Sequence, residues 1–209
     1  MPHVTPSPPA RIAPYAFAFE CGLILVAALL GWGFGFSPLS SLRNGEPGWG
    51  DDFWAGGIGV LCALPPMASL WAFQRVSWPP VHRLRKLVSE QVVPLFAGVS
   101  VVEFALISAA AGIGEELLFR GFLQDGLAQW WGTPYGVWIG LTLASIAFGL
   151  VHSLSTGYAI LATAMGIYLG LVFHFSGHVL APIVTHALYD FVALVFLTRV
   201  SGRGDGLEP

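Results

Sequence analysis

The sequence predicts an all-α protein: a polytopic bundle of about six to seven transmembrane helices around a membrane-embedded cavity. Three observations carry that prediction. Of the 209 residues, 55% are hydrophobic and 10% charged, with a mean hydropathy of +0.71. A soluble domain carries about 25% charged residues, so too few are present here to clothe a folded surface in water. Apolar stretches recur at 15–36, 53–73, 92–112, 137–152, 157–175 and 179–198. Each is close to the roughly 20 residues that span a hydrocarbon core. Finally, the ionisable residues within these stretches recur at helical spacing, as the faces of a bundle lining an interior cavity require.

Taken in order, residues 1–14 hold five prolines and little to bury, and they read as a mobile tail. The first apolar run is too long for the core of a signal peptide, and Arg11 is the only cation before it, so it reads as the first span. A Gly/Pro/Ser-rich loop with Arg43, Glu46, Asp51 and Asp52 leads to the second span. Residues 15–91 thus form an N-terminal transmembrane hairpin followed by a basic loop with Arg75, Arg83, Arg85 and Lys86. The positive-inside rule places that loop, and with it the N-terminus, in the cytoplasm. Residues 92–198 form the second unit, and 199–209 a polar C-terminal tail. Trp130, Trp131, Tyr135 and Trp138 surround a Gly-Thr-Pro turn, as an interfacial aromatic belt does. Residues 113–130 are helical in type but too polar to face lipid. They either continue the third span through a kink or fold back as a separate embedded helix, which sets the count at six or seven.

Composition also narrows the function. The net charge of −3 offers no basic surface for nucleic acid. Cys21 and Cys62 sit in apolar runs as small hydrophobes and suggest no disulfide framework. The location expected is a bacterial-type inner (cytoplasmic) membrane, crossed several times.

An ionisable side chain at the bilayer centre costs about 2.5–3.5 kcal/mol on insertion scales, so chains keep such groups where they face an interior or one another. Glu116 and Arg120 are four apart and pair on one helix face, while Glu115, rotated by about 100°, points elsewhere. Glu115 lies 19 residues before Pro134 and His152 lies 18 after it. If the turn at 132–136 is the corner of a helical hairpin, the two meet at one depth. His186 and Asp190 are again four apart, and depth counting leaves His186 about 10 Å from His152 along the membrane normal. The remaining polar residues point less clearly. Glu20 is isolated in the first span, Glu103 lines the cavity or pairs elsewhere, and Asp125 reaches the interface. His174 and His178 flank a short turn at the interface. Gly166 and Gly170 give the fifth stretch a face for close helix approach.

A carboxylate, two histidines and a supporting acid in one cavity suit the activation of water, with Glu as general base and His sharing the proton. Two histidines and a glutamate could instead hold Zn²⁺ with one position open. No His-Glu-x-x-His and no Gly-x-Ser-x-Gly is present, which leaves out a conventional zincin site and a nucleophile-elbow serine.

Glu115-Glu116-x-x-x-Arg120, Phe148-x-x-x-His152 and His186-x-x-x-Asp190, in that order, resemble the CPBP family of CAAX-prenyl-protease and bacteriocin-processing (Abi) membrane proteins. The resemblance covers about 92–198, and Gly121 and the Gly166/Gly170 stretch also fit it. It implies an intramembrane endopeptidase acting on membrane-associated or membrane-proximal proteins, with the lipid bilayer and a peptide substrate as partners and no nucleic acid. It further implies that Glu115 and His152 activate water and that His186 and Asp190 stabilise the oxyanion. Glu116, Arg120 and Phe148 support them. The glutamate reading needs no cofactor; the metal reading would use Glu115, His152 and His186. The family often has Asn where Asp190 stands, so Asp190 either carries a proton or orients His186. The alternatives are a non-catalytic immunity or scaffold protein that keeps the bundle, and a small transporter using these groups as a proton relay.

Overall fold

The computed structural model describes residues 12–40, 49–132 and 134–199. The proline-rich tail to residue 11, the loop residues Arg43 and Glu46, and the C-terminal tail beyond Arg199 lie outside the described residues. Every regular element among those described is helical: α1 (Ala13–Phe34), α2 (Trp49–Phe73), α3 (Pro79–Leu87), α4 (Val101–Glu116), α5 (Asp125–Trp131), α6 (Tyr135–Val151), α7 (Thr156–Ser176) and α8 (Leu180–Arg199). The all-helical polytopic bundle predicted from composition is the fold observed, and the chain is an integral membrane protein.

Among the described residues, four helices are long and apolar enough to cross a membrane: α1, α2 from Gly50, α7 and α8. A fifth span arises if Pro79–Phe96 and Val101–Trp131, bent by 110° at their junction, count as one. The six-to-seven count from apolar runs is reduced at two places. The fourth run, α6, has only 17 residues. The third run, 92–112, is divided because Pro94 and Gly98 interrupt it and a new helix starts at Ser100. Gly98 takes φ +80°, open to glycine, and Ser100 and Glu103 then close a reciprocal capping box on α4.

The stretch 75–91 is mostly helical, a correction to its reading as a loop. Prolines at its first positions start α3, which buries Val81 and Leu84 and exposes Arg83 and Lys86. A π turn over Val88–Val92 and a 3₁₀ turn over Val93–Phe96 carry it on. Arg85 donates to the carbonyls of Phe73 (3.2 Å) and Gln74, so one guanidinium caps the end of α2 and anchors α3 there.

Residues 113–130 complete α4 and continue it, as the kinked-continuation reading expected. After Glu116 the chain passes into a π-helix, Leu117–Gln124, and then α5 without leaving helical geometry. α8 packs against both α2 and α4, α1 packs against α4, and α6 packs against α5 and α7. Small residues allow these approaches. A Cβ on Gly59 would stand 2.6 Å from the Ala181 carbonyl, and one on Gly112 would stand 2.8 Å from that of Ile183. The Gly166 position behaves as the sequence suggested, its missing Cβ lying 3.1 Å from the Cα of Ser145 on α6.

Candidate active site

Three polar groups read from sequence meet within this frame. At the end of α4, Glu116 is fully buried, and its Oε1 lies 3.0 Å from the Arg120 guanidinium and 2.8 Å from His186 Nδ1. Arg120 also donates to the Gly166 carbonyl at 2.9 Å, and its guanidinium carbon stands 4.9 Å from the centre of the Phe148 ring. The buried cation thus has a carboxylate, a carbonyl and an aromatic face around it, as a charge deprived of water needs. Gln124, one turn on, donates to the Gly170 carbonyl at 3.0 Å. The π turn places Arg120 and Gln124 against α7, where the missing Cβ of Gly170 leaves room for Gln124.

Glu115 turns the other way. Its Oε2 is 3.5 Å from His152 Nε2, without hydrogen-bond geometry, and both residues line a cavity of about 1010 Å³. His152 ends α6, and its Nδ1 donates to the Phe148 carbonyl at 2.8 Å. That bond fixes the neutral tautomer with its lone pair on Nε2, aimed at Glu115. The matched depth across the 132–136 turn is realised.

His186 is 5% exposed and stands behind the wall that its neighbour Asp190 lines. Its Nδ1 is held by Glu116, and its Nε2 is 3.4 Å from Asp190 Oδ2. The gap left by depth counting is closed by one ring: Phe148 stacks on His152 at 4.5 Å between centroids and meets His186 edge-on at 5.9 Å. The Zn²⁺ reading would need Glu115, His152 and His186 to converge. Both His186 nitrogens face carboxylates, and among the described residues no group of three His, Cys, Asp or Glu is arranged to hold a metal ion. The donors in this arrangement do not fit that ion.

The other polar residues go elsewhere. Glu103 caps α4, accepting from the Ser100 N–H at 2.8 Å. Asp125 accepts from Gln129 at 2.9 Å and Ser40 at 3.3 Å. His178 Nε2 lies 3.2 Å from Asp52 Oδ1, and His174 sits against Trp138. Gly-x-Gly-Asp, a pattern of aspartyl intramembrane sites, occurs at Gly48–Asp51 and Gly202–Asp205. Asp51 is exposed in the first turn of α2 and away from the cavity lining, and Asp205 lies outside the described residues. Sequence reasoning left Glu20 isolated, yet it lines the same cavity as Glu115 and His152. The signal was available, since an acid in mid-span is itself a mark of an interior face.

Residues 97–192 match the model of a family described as Type II CAAX prenyl endopeptidase Rce1-like. A protein of Bacillus subtilis (strain 168) described as uncharacterized, YpbD, is 30% identical over 144 residues, which are 65% of this chain and 62% of the relative. The chain therefore spans less than two thirds of that relative's length. No solved structure matches. The resemblance carried by the three motifs holds for the segment that contains them.

Proposed function

From an Rce1-like segment folded in this way, we propose that the chain is an intramembrane endopeptidase that hydrolyses peptide bonds in membrane-associated or membrane-proximal proteins. One observation carries the reading: Glu115 and His152 face each other at 3.5 Å in a shared cavity, close enough to act together and too poorly aligned to satisfy each other. A water on the cavity side of this pair, within hydrogen-bond reach of both Oε2 and Nε2, can donate to both. Glu115 takes its proton as the oxygen adds to the substrate carbonyl, and His152 shares that proton before it passes to the departing nitrogen.

The oxyanion that forms needs a donor already in place. His186 is held through Nδ1 by Glu116, and the proton on its Nε2, shared loosely with Asp190 at the cavity wall, is the donor assigned to that oxygen. Asp190 aligns the imidazole; an ionised carboxylate cannot itself donate. Glu116 and Arg120 act through His186 as positioning residues. This chemistry draws on the chain's own side chains, so stripping the protein with a chelator leaves the rate unchanged.

The test is cleavage of lipidated and signal-peptide-derived peptides by the purified chain, beside Glu115→Ala and His152→Ala. Cleavage by the parent protein alone supports the reading. Equal activity in all three ends it.

A further inference from the structure

Glu20 is a cavity carboxylate that neither the motifs nor the proposed hydrolysis uses. It sits in α1, outside the segment matched to the Rce1-like family. α1 runs so close to α4 that a Cβ on Gly114 would collide with the Glu20 carbonyl oxygen, and the next residue of α4 is Glu115. The Glu20 side chain lines the cavity together with Glu115, His152 and Asp190, within electrostatic reach of all three. Its Oε2 is buried and has no hydrogen-bond partner.

The other acids along this wall each face a cationic or imidazole group, although Glu115 Oε2 shares with Glu20 the lack of a hydrogen-bond partner. Glu115 faces His152, Asp190 faces His186, and Glu90 lies 3.8 Å from Lys86. A buried acceptor without a donor calls for one that arrives with a ligand. Peptide hydrolysis delivers such a donor. Water oxygen adds to the carbonyl carbon, the C–N bond breaks, and the proton taken by Glu115 goes to the nitrogen. The second water proton, released as the new carboxyl ionises, converts the amine to an ammonium. The site therefore meets an N–H before cleavage and a cation after it, and a cation in an apolar setting needs a counter-charge.

We propose that Glu20 is a substrate-binding residue that accepts the scissile N–H and then pairs with the new α-ammonium of the leaving peptide. The proposal rests on the hydrolytic reading above, and two measurements separate the two. In the first, the tripeptide Val-Ile-Met is bound to the purified full chain in nanodiscs, with its amine free or acetylated. Glu20→Gln, which keeps the side chain's size, weakens the free-amine peptide roughly 10-fold and the acetylated one, which keeps an N–H but carries no charge, distinctly less. No difference between parent and variant, or equal loss for both peptides, overturns the assignment. In the second, a lipidated peptide with a C-terminal CAAX tail is compared with its analogue carrying an ester at the scissile bond. Glu20→Gln slows the amide more than the ester, which has no N–H to offer; equal slowing overturns the assignment. A parent chain that binds the free amine through Glu20 yet cleaves neither substrate keeps the amine site and loses the hydrolytic reading.

Discussion

Glu115 and Glu116 are neighbours in sequence and opposites in surroundings. Glu116 is closed in, with Arg120 and His186 at 3.0 and 2.8 Å on one oxygen and no solvent exposure. Glu115 meets a single partner at 3.5 Å across a cavity wall, and that partner's side chain is 31% exposed. The difference teaches how one helix turn can hold two kinds of carboxylate. Each keeps a buried Oε2 without a partner; the carboxylate whose other oxygen is held by fixed donors is built into the fold, and the one that lines the cavity is available for chemistry.

The comparison can be broken most forcefully on the open side. Glu115→Ala and His152→Ala each lower kcat/KM by roughly 10²–10⁴-fold. Because the two act on one proton, the double variant falls little further. Rates that multiply instead would show two independent groups. On the closed side the effect is on folding. Arg120→Ala leaves Glu116 buried without its cation and lowers stability by about 3–5 kcal/mol, read as the unfolding midpoint of the purified protein.

The local parts of this site were legible in the sequence. Glu116–Arg120 and His186–Asp190 follow from a four-residue spacing, and Glu115–His152 follows from equal rise on the two sides of a turn. What joins them was not legible. Glu116 reaches His186, 70 residues away, only because Gly112 lets α4 lie against α8, and no spacing rule encodes that approach. Helical periodicity likewise gave no warning of the π turn that aims Arg120 and Gln124 at α7. The span count failed where apolar length alone was read. Ser100-x-x-Glu103 was a helix start inside an apolar run, and prolines at 79 and 80 were the start of another in a stretch that charge had marked as a loop. Glu20 was visible as an oddity, but its place depends on the close passage of α1 over Gly114.

Packing that supports both carboxylates should respond more mildly. A Cβ at Gly140 would collide with the Gln124 carbonyl, so Gly140→Ala costs about 1–3 kcal/mol and shifts α6, which carries His152. Stability and cleavage rate then fall together, unlike in Glu115→Ala, where the rate alone collapses. The smallest effect is expected at Asp190, whose side chain is 33% exposed. Asp190→Asn keeps an oxygen for His186 and changes the rate by roughly threefold or less, since a partly exposed charge is screened. A large loss would mean that the negative charge itself is needed.

The direct test of the contrast uses the mildest change at both positions. Glu115→Gln and Glu116→Gln are prepared in parallel, and each is measured for unfolding midpoint and for cleavage of one lipidated peptide. Glu115→Gln should unfold with the parent protein and cleave at a rate near background, while Glu116→Gln should unfold earlier and retain measurable cleavage in whatever remains folded. The reverse pattern, or two variants that cannot be told apart, would contradict the assignment of chemistry to one carboxylate and architecture to the other.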